Sequence, residues 1–384
     1  MQFEFATASR IVFGAGTRSQ LGEVTSSLGK RALLVAGAPD GIFEPLSAAL
    51  AARGIDVVLC MVTAEPTIES VRDAVARARE TERDLVIGVG GGSALDTGKA
   101  VAALLGNGGD PLDYLEVVGQ GQPLTKPSLP FIAVPTTAGT GSEVTRNAVL
   151  SVPEHRVKAS LRSAHMLPRV ALVDSELTLG VPADVTASTG LDALTQVIEP
   201  FVCRNPNLLI DALCNDAIRC AGRSLGRVCE QPNDTVAREE MALVSLIGGL
   251  ALANAKLGAV HGLAAAIGGM FNAPHGATCA RLLPNVMEMN VRALKRRRPD
   301  SDALRRYDET ARLLNNHRTA RAADGVSWVA GLCDMMRIPG LRQYGLTERD
   351  LDEVISKSLA ASSMQGNPIE LTRDELAEIV VAAM

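Results

Sequence analysis

Aromatic side chains are scarce in this sequence, at 3 % of its residues, and Trp328 is the single tryptophan. The apolar content of 47 % is therefore carried mainly by alanine, valine and leucine. That composition suits close-packed helices and buried parallel strands, and it is too apolar for a disordered chain. A surplus of positive charge is also missing. A net charge of −5 leaves no basic face for a phosphate backbone and excludes a general nucleic-acid binder. The basic run Lys295–Arg298 reads as a solvated helix end.

Cysteine pairing signals are absent. The seven cysteines are scattered, odd in number and without a CxxC, which excludes a zinc ribbon or a disulfide scaffold and points to a reducing compartment. The opening MQFEFATASR has no basic stretch followed by a long apolar core, so a cytoplasmic protein is expected. The apolar stretch Leu243–Phe271 is interrupted by Asn254, Lys256, His261 and glycines. It reads as two buried helices rather than a membrane span.

What is present has two styles. In the first half, short apolar runs (Ala32–Ala36, Val57–Val62, Leu85–Val89, Phe131–Val134) alternate with helical patterns such as Leu46–Arg53 and Ile68–Arg83. This order predicts a parallel sheet covered on both faces. Ala171–Asp174 adds one more strand, and Phe3–Phe13 reads as a strand able to pair across a subunit interface. Beyond about Pro182 the pattern is helical, with Leu208–Leu225, Thr235–Ala255, Leu304–Leu314, Gly325–Met336 and a docked terminal helix within Thr372–Met384. Two domains are expected, an α/β domain over 1–181 and an all-helical one over 182–384.

Two loops carry ligand-binding chemistry. Leu85–Val89 runs into Gly90-Gly91-Gly92-Ser93, and a helix follows from Ala94. Glycines at such a turn let a backbone approach a pyrophosphate, which the first helical amides would hold; the alternative is a tight turn without a ligand. Asp96 joins Ser93 at the helix start, where it also suits the helix dipole. The strand Phe131–Val134 enters Pro135–Thr145, a loop rich in Thr, Ser and Gly. It reads either as a second phosphate or ribose contact or as a capped loop with Thr140 or Ser142 as N-cap. Two such loops in one parallel sheet favour a bound ligand.

The helical half holds the acid and imidazole groups. Asp192 and Gln196 share a helix face at i and i+4, while His261 and His275 sit in apolar surroundings. These four groups could hold a divalent ion. His155, His165 and His317 read as surface or structural residues.

These segments together resemble the iron-containing (group III) alcohol dehydrogenase family. The matching pieces are Gly90-Gly91-Gly92-Ser93 with Asp96 and Lys99, Pro135–Thr145, Asp174-Ser175-Glu176-Leu177-Thr178, Gly190-Leu191-Asp192-Ala193-Leu194, Val260-His261-Gly262 and Pro274-His275-Gly276. The likeness runs from Phe13-Gly14-Ala15-Gly16 to roughly residue 290. The resemblance implies the architecture shared with dehydroquinate synthase, an α/β dinucleotide-binding domain plus an all-α domain, with cofactor and metal in the cleft between them. It implies hydride transfer between NAD(P) and a small alcohol or aldehyde, and assembly as a homodimer or higher homo-oligomer. Neither nucleic acid nor membrane is an expected partner.

By the same resemblance Gly91, Gly92, Ser93, Asp96, Thr136, Thr137 and Thr140 hold the cofactor. Lys158 lies near the nicotinamide ribose and is able to orient the substrate oxygen. Cofactor choice is read at Gly37, where NAD-preferring relatives often carry an aspartate. The small neutral residue leaves room for the extra phosphate of NADP, with NAD the alternative should Asp40 fold back. Asp192, Gln196, His261 and His275 are the expected ligands of Fe or Zn.

Two positions depart from the family. Gln196 stands where a ligating histidine is usual, and an amide oxygen is the weaker donor. Ala265 stands where a proton-relaying histidine is often found, so His275, a ribose hydroxyl or solvent must carry the proton. The departures leave open a weak metal, a harder ion, or none. A metal-free reduction of an oxo acid, similar to that of maleylacetate reductases, is the alternative, with Arg146 and Lys158 holding the substrate carboxylate.

Overall fold

A computed structural model of the chain describes residues 2–384, the side chain of Asp40 excepted. The chain forms two compact units, one of Phe5–Leu179 and one of Gly180–Met384 together with the described residues before Phe5.

The N-terminal unit contains strands β1 (Arg10–Phe13), β2 (Arg31–Gly37), β3 (Asp56–Met61), β4 (Leu85–Gly90), β5 (Phe131–Pro135), β6 (Asn147–Val152), β7 (Val157–Arg162) and β8 (Val170–Val173). Its helices are α1 (Leu21–Ser26), α2 (Asp40–Ala51), α3 (Ile68–Glu80), α4 (Gly92–Asn107) and α5 (Pro111–Tyr114). Six strands make one sheet in the order β1-β8-β5-β4-β2-β3, with every pairing parallel. Along β2, Ala32, Leu34 and Ala36 enter one apolar layer with Leu46 and Leu50 of α2; Leu33 and Val35 enter the other with Val71 and Val75 of α3. Burial on both faces is why these strands read as continuous apolar runs.

Two expectations need correction. The strand predicted over Phe3–Phe13 is confined to Arg10–Phe13, which pairs with β8 of its own sheet. The segment between β5 and β8 also contains an antiparallel hairpin, β6–β7, that the alternation did not suggest. Asp174 ties the sheet's first turn together. Its carboxylate accepts from the amides of Gly16, Arg18 and Glu176 and pairs with the Arg18 guanidinium, which accounts for the Gly14–Gly16 and Asp174–Thr178 motifs in structural terms.

The C-terminal unit is helical, with α6 (Ala183–Val202), α7 (Leu208–Glu230), α8 (Thr235–Asn254), α9 (Ala259–Phe271), α10 (His275–Arg297), α11 (Asp302–Asn315), α12 (Ala322–Met335), α13 (Leu351–Ala360) and α14 (Arg373–Ala382). Helix α6 packs against α7, α8 and α10 and is buried without interruption from Gly190 to Val202. Helices α8 and α9 meet at 94°, and among the described residues no single helix is long and apolar enough to cross a membrane. Lys295–Arg298 closes α10 at an exposed end, as expected. Thr372 caps α14 through a reciprocal bond pair with Glu375.

Candidate active site

In the N-terminal unit, the strand order reverses at β2. The chain leaves β2 for β3 on one side and returns to β4 on the other. Ligands of open α/β sheets bind outside the carboxyl ends of strands at such a reversal. Here the two strand ends are Gly37 and Gly90, which are register partners. Gly90 has φ +152°, and a Cβ on it would lie 2.8 Å from Ala94 Cβ and 3.1 Å from the Gly37 backbone, so only glycine fits. Helix α4 then begins at Gly92 with Gly91 as its N-cap. Gly91 carbonyl accepts from Ala94 and Leu95, which leaves the amides of Gly92 and Ser93 at the open, electropositive helix end.

The second loop comes to the same place. Positions for a Cβ on Gly91 and Gly92 lie 3.2 Å from Thr137 Oγ1 and 2.9 Å from Thr140 Cγ2. The Thr136 amide donates to Gly90 carbonyl. Gly37, Gly91, Gly92, Ser93, Thr136, Thr137 and Thr140 are therefore gathered around one set of strand ends.

Asp96 and Lys158 are placed differently. The Asp96 carboxylate accepts from Ser142 Oγ (2.5 Å) and Val149 N (2.8 Å) and lies 3.2 Å from Lys99 Nζ. Lys99, fully buried, donates to Ser142 carbonyl, Thr145 Oγ1 and Asn147 carbonyl. Burial holds the Lys99 ammonium below its ordinary pKa, against the opposing charge of Asp96. Asp96 and Lys99 thus clamp the β5 loop onto α4. Lys158 lies on β7 with Nζ 2.5 Å from Glu65. The N-cap of the turn Ser142–Val144 is Gly141 at φ +60°, with Thr140 Oγ1 accepting from the Ser142 amide; Ser142 itself is not the cap. The side chain of Asp40 lies outside the described residues.

The second site lies wholly in the helical unit. Asp192, Gln196 and Glu199 are spaced along the buried face of α6. His261 is in the first turn of α9, and His275 opens α10 after Pro274. A Cβ on Gly276 would lie 2.7 Å from Ser188 carbonyl, so glycine there lets the start of α10 approach α6 and brings His275 over Asp192. His261 Nε2 lies 3.5 Å and His275 Nε2 3.7 Å from the same oxygen, Asp192 Oδ1. That oxygen is buried and has no hydrogen-bond partner. A buried carboxylate oxygen left so is costly unless a cation meets it.

Two residues at this site were not anticipated. Glu199 Oε2 accepts from His261 Nδ1 at 2.7 Å, and Oε1 accepts from the Val260 amide at 2.7 Å. The carboxylate thereby caps α9 and fixes the Nδ1–H tautomer of His261, turning Nε2 toward Asp192. Cys279, one turn after His275 on α10, has Sγ 3.6 Å from His275 Nε2. Donor atoms of Asp192, His261, His275 and Cys279 all lie within 4.8 Å of one another. Gln196 is buried one turn beyond Asp192, its Cβ set against Gly248 of α8.

Electrostatics fit a cation at this point. Burial would depress the His261 imidazole, but the negative charges of Asp192 and Glu199 and the Glu199 hydrogen bond override it and raise the group to about 9. Burial raises the Asp192 carboxyl, yet the neighbouring imidazoles outweigh that and hold it below its usual range. His275 is the half-exposed member, with 38 % of its side chain accessible. His155, His165 and His317 are exposed and lie in turns.

The family model for iron-containing alcohol dehydrogenase matches residues 8–175, and that for the C-terminal region of Fe-containing alcohol dehydrogenases matches 186–384. The 1,3-propanediol dehydrogenase of Citrobacter freundii is 35 % identical, over 98 % of this chain and 97 % of the relative. A crystal structure of 1,3-propanediol oxidoreductase superposes with a TM-score of 0.92 at 34 % identity, covering 100 % of each chain. The sulfoacetaldehyde reductase of Bifidobacterium kashiwanohense, solved in complex with NAD+, gives a TM-score of 0.86 at 27 % identity, covering 100 % of this chain and 99 % of that one.

Proposed function

The chain belongs to the iron-containing alcohol dehydrogenase family and is an enzyme that interconverts an alcohol and its aldehyde, and from that premise we propose which of its groups hold the cofactor and the metal. The dinucleotide binds at the Gly37–Gly90 strand ends, and a divalent metal binds to Asp192, His261 and His275. The observation that carries the metal assignment is the orphaned Asp192 Oδ1 facing two imidazole Nε2 atoms.

A bound nicotinamide supplies or accepts the hydride. A bound metal supplies Lewis acidity for the carbonyl oxygen or its alkoxide. The chain's own groups do the rest. The amides of Gly92 and Ser93 receive the pyrophosphate, and Thr137 and Thr140 border the same turn. Gly37 presents no carboxylate against a 2′-phosphate, which favours NADP, with NAD the alternative. Glu199 orients His261. With His275 Nε2 taken up as a ligand, the substrate proton that no histidine at Ala265 can carry passes through solvent or a ribose hydroxyl, at the half-exposed edge of the site. A homodimer or larger homo-oligomer, expected from the family, is checked by light scattering. All seven cysteines are unbridged, which supports a cytoplasmic setting.

The test is steady-state turnover of a panel of aldehydes and oxo acids, each with NADH and NADPH. Aldehyde reduction that a chelator abolishes is the expected result. Turnover confined to oxo acids and indifferent to chelator would establish the metal-free alternative instead.

A further inference from the structure

The expected fourth ligand, Gln196, has a competitor that the sequence pattern did not reveal. We propose that the thiolate of Cys279 is the fourth protein ligand of the metal, giving an Asp-His-His-Cys set. This rests on the reading of Asp192, His261 and His275 as metal ligands.

Geometry carries the assignment. His275 and Cys279 are four residues apart on α10 and so share a face. Cys279 is fully buried, and its sulfur belongs to the same donor cluster as the orphaned Asp192 Oδ1. A tetrahedral ion with bonds of about 2.0–2.2 Å to nitrogen and oxygen and about 2.3 Å to sulfur sets its donors about 3.4 Å apart for N···O and about 3.6 Å for N···S. The N···O separations here are 3.5 and 3.7 Å, and the N···S separation is 3.6 Å. Three of the six donor pairs already stand at the edge lengths of a coordination shell, and the other three lie within 4.8 Å.

Charge supports the same choice. Asp192 and the thiolate match a divalent ion within the ligand shell itself, whereas with Gln196 in its place the shell would carry an extra positive charge and lean on Glu199, which lies beyond His261. On binding, the Cys279 S–H bond breaks, a metal–sulfur bond forms and the proton leaves to solvent, with no change of oxidation state. The thiolate makes the donor set softer, as zinc favours, and argues against a hard ion such as magnesium. A metal held by these four residues would supply Lewis acidity to a substrate oxygen by expanding its shell, which zinc tolerates.

The experiment is titration of the metal-free protein with Co(II), read by absorption. Expected are visible bands of a tetrahedral ion together with a near-ultraviolet thiolate-to-cobalt charge-transfer band. Cys279→Ser should lose that band and weaken zinc binding by at least the roughly 10–100-fold that loss of a mere ligand-orienting partner costs. Gln196→Ala should keep the band. Cobalt bands without the charge-transfer feature in the natural protein, or its persistence in Cys279→Ser, overturn the assignment. Should Cys279→Ser fail to fold, Cys279→Ala takes its place. Loss of the band then keeps the sulfur in this site, and retention moves it to another cysteine and overturns the proposal. An intact band beside chelator-insensitive turnover would sustain this assignment while sinking the metal-assisted mechanism, so the two readings fail separately.

Discussion

Replacing Glu199 by glutamine tests whether the helical site is organised around His261. Glu199 uses both oxygens, one on His261 Nδ1 and one on the Val260 amide, each at 2.7 Å. Both partners are donors. A glutamine amide has one acceptor oxygen, so its NH2 must face one donor, and the charge that strengthened both bonds is gone. Loss of one charge-assisted bond in a buried site costs about 2 kcal/mol. If that cost falls on His261 as a ligand, zinc affinity drops about 30-fold, within the range for removal of a ligand-orienting carboxylate. The assay is competition for zinc between the metal-free protein and a chromophoric chelator. Turnover at saturating zinc should largely recover, because Glu199 touches no substrate in this account. Affinity equal to the natural protein, within error, would refute the argument that Glu199 holds His261 for the metal.

Three further outcomes follow from the N-terminal unit. Lys99→Met removes the buried cation from Asp96 and three acceptors and should destabilise the protein by about 3–5 kcal/mol, read by urea unfolding. Gly92→Ala places a methyl 2.9 Å from Thr140 Cγ2 and should weaken NADPH or NADH binding about tenfold, ~1.4 kcal/mol, with stability little changed; fluorescence titration reads it. Glu143 is fully buried, and burial raises its carboxyl to about 7, only partly countered by the Lys99 charge. Because the folded value lies above the unfolded one, its contribution to stability is complete below about 4.5 and is lost as pH rises to about 7, a change on the order of 3 kcal/mol. Glu143→Gln should flatten the pH dependence of unfolding across that window; an unchanged profile would show that the natural carboxylate titrates elsewhere.

Much of the sheet was legible because its strands are buried on both faces and so appear as unbroken apolar runs, Leu85–Gly90 above all. The hairpin β6–β7 escaped because its residues alternate between buried and partly accessible, with Lys158 and Arg162 interleaved. The strand-end cluster was readable from its glycines and hydroxyls. The bonds from Asp96 to Ser142 and Val149 were not readable, because those partners are 46 and 53 residues away, a distance no local pattern spans. At the helical site, Asp192 and both histidines stood out as polar groups in apolar surroundings. Cys279 did not, since a lone cysteine in an apolar run looks like core; only the start of α10 at His275 fixes the four-residue spacing that joins them. Glu199 was similarly hidden, because its partners lie at the start of a different helix.

The most direct test of the account is aldehyde reduction by one preparation assayed as purified, after removal of metal, and after zinc or ferrous iron is restored. Turnover with NADH or NADPH should fall to background on removal, return on restoration, and not return in His261→Ala. Full turnover by the metal-free protein, or by His261→Ala, would contradict it.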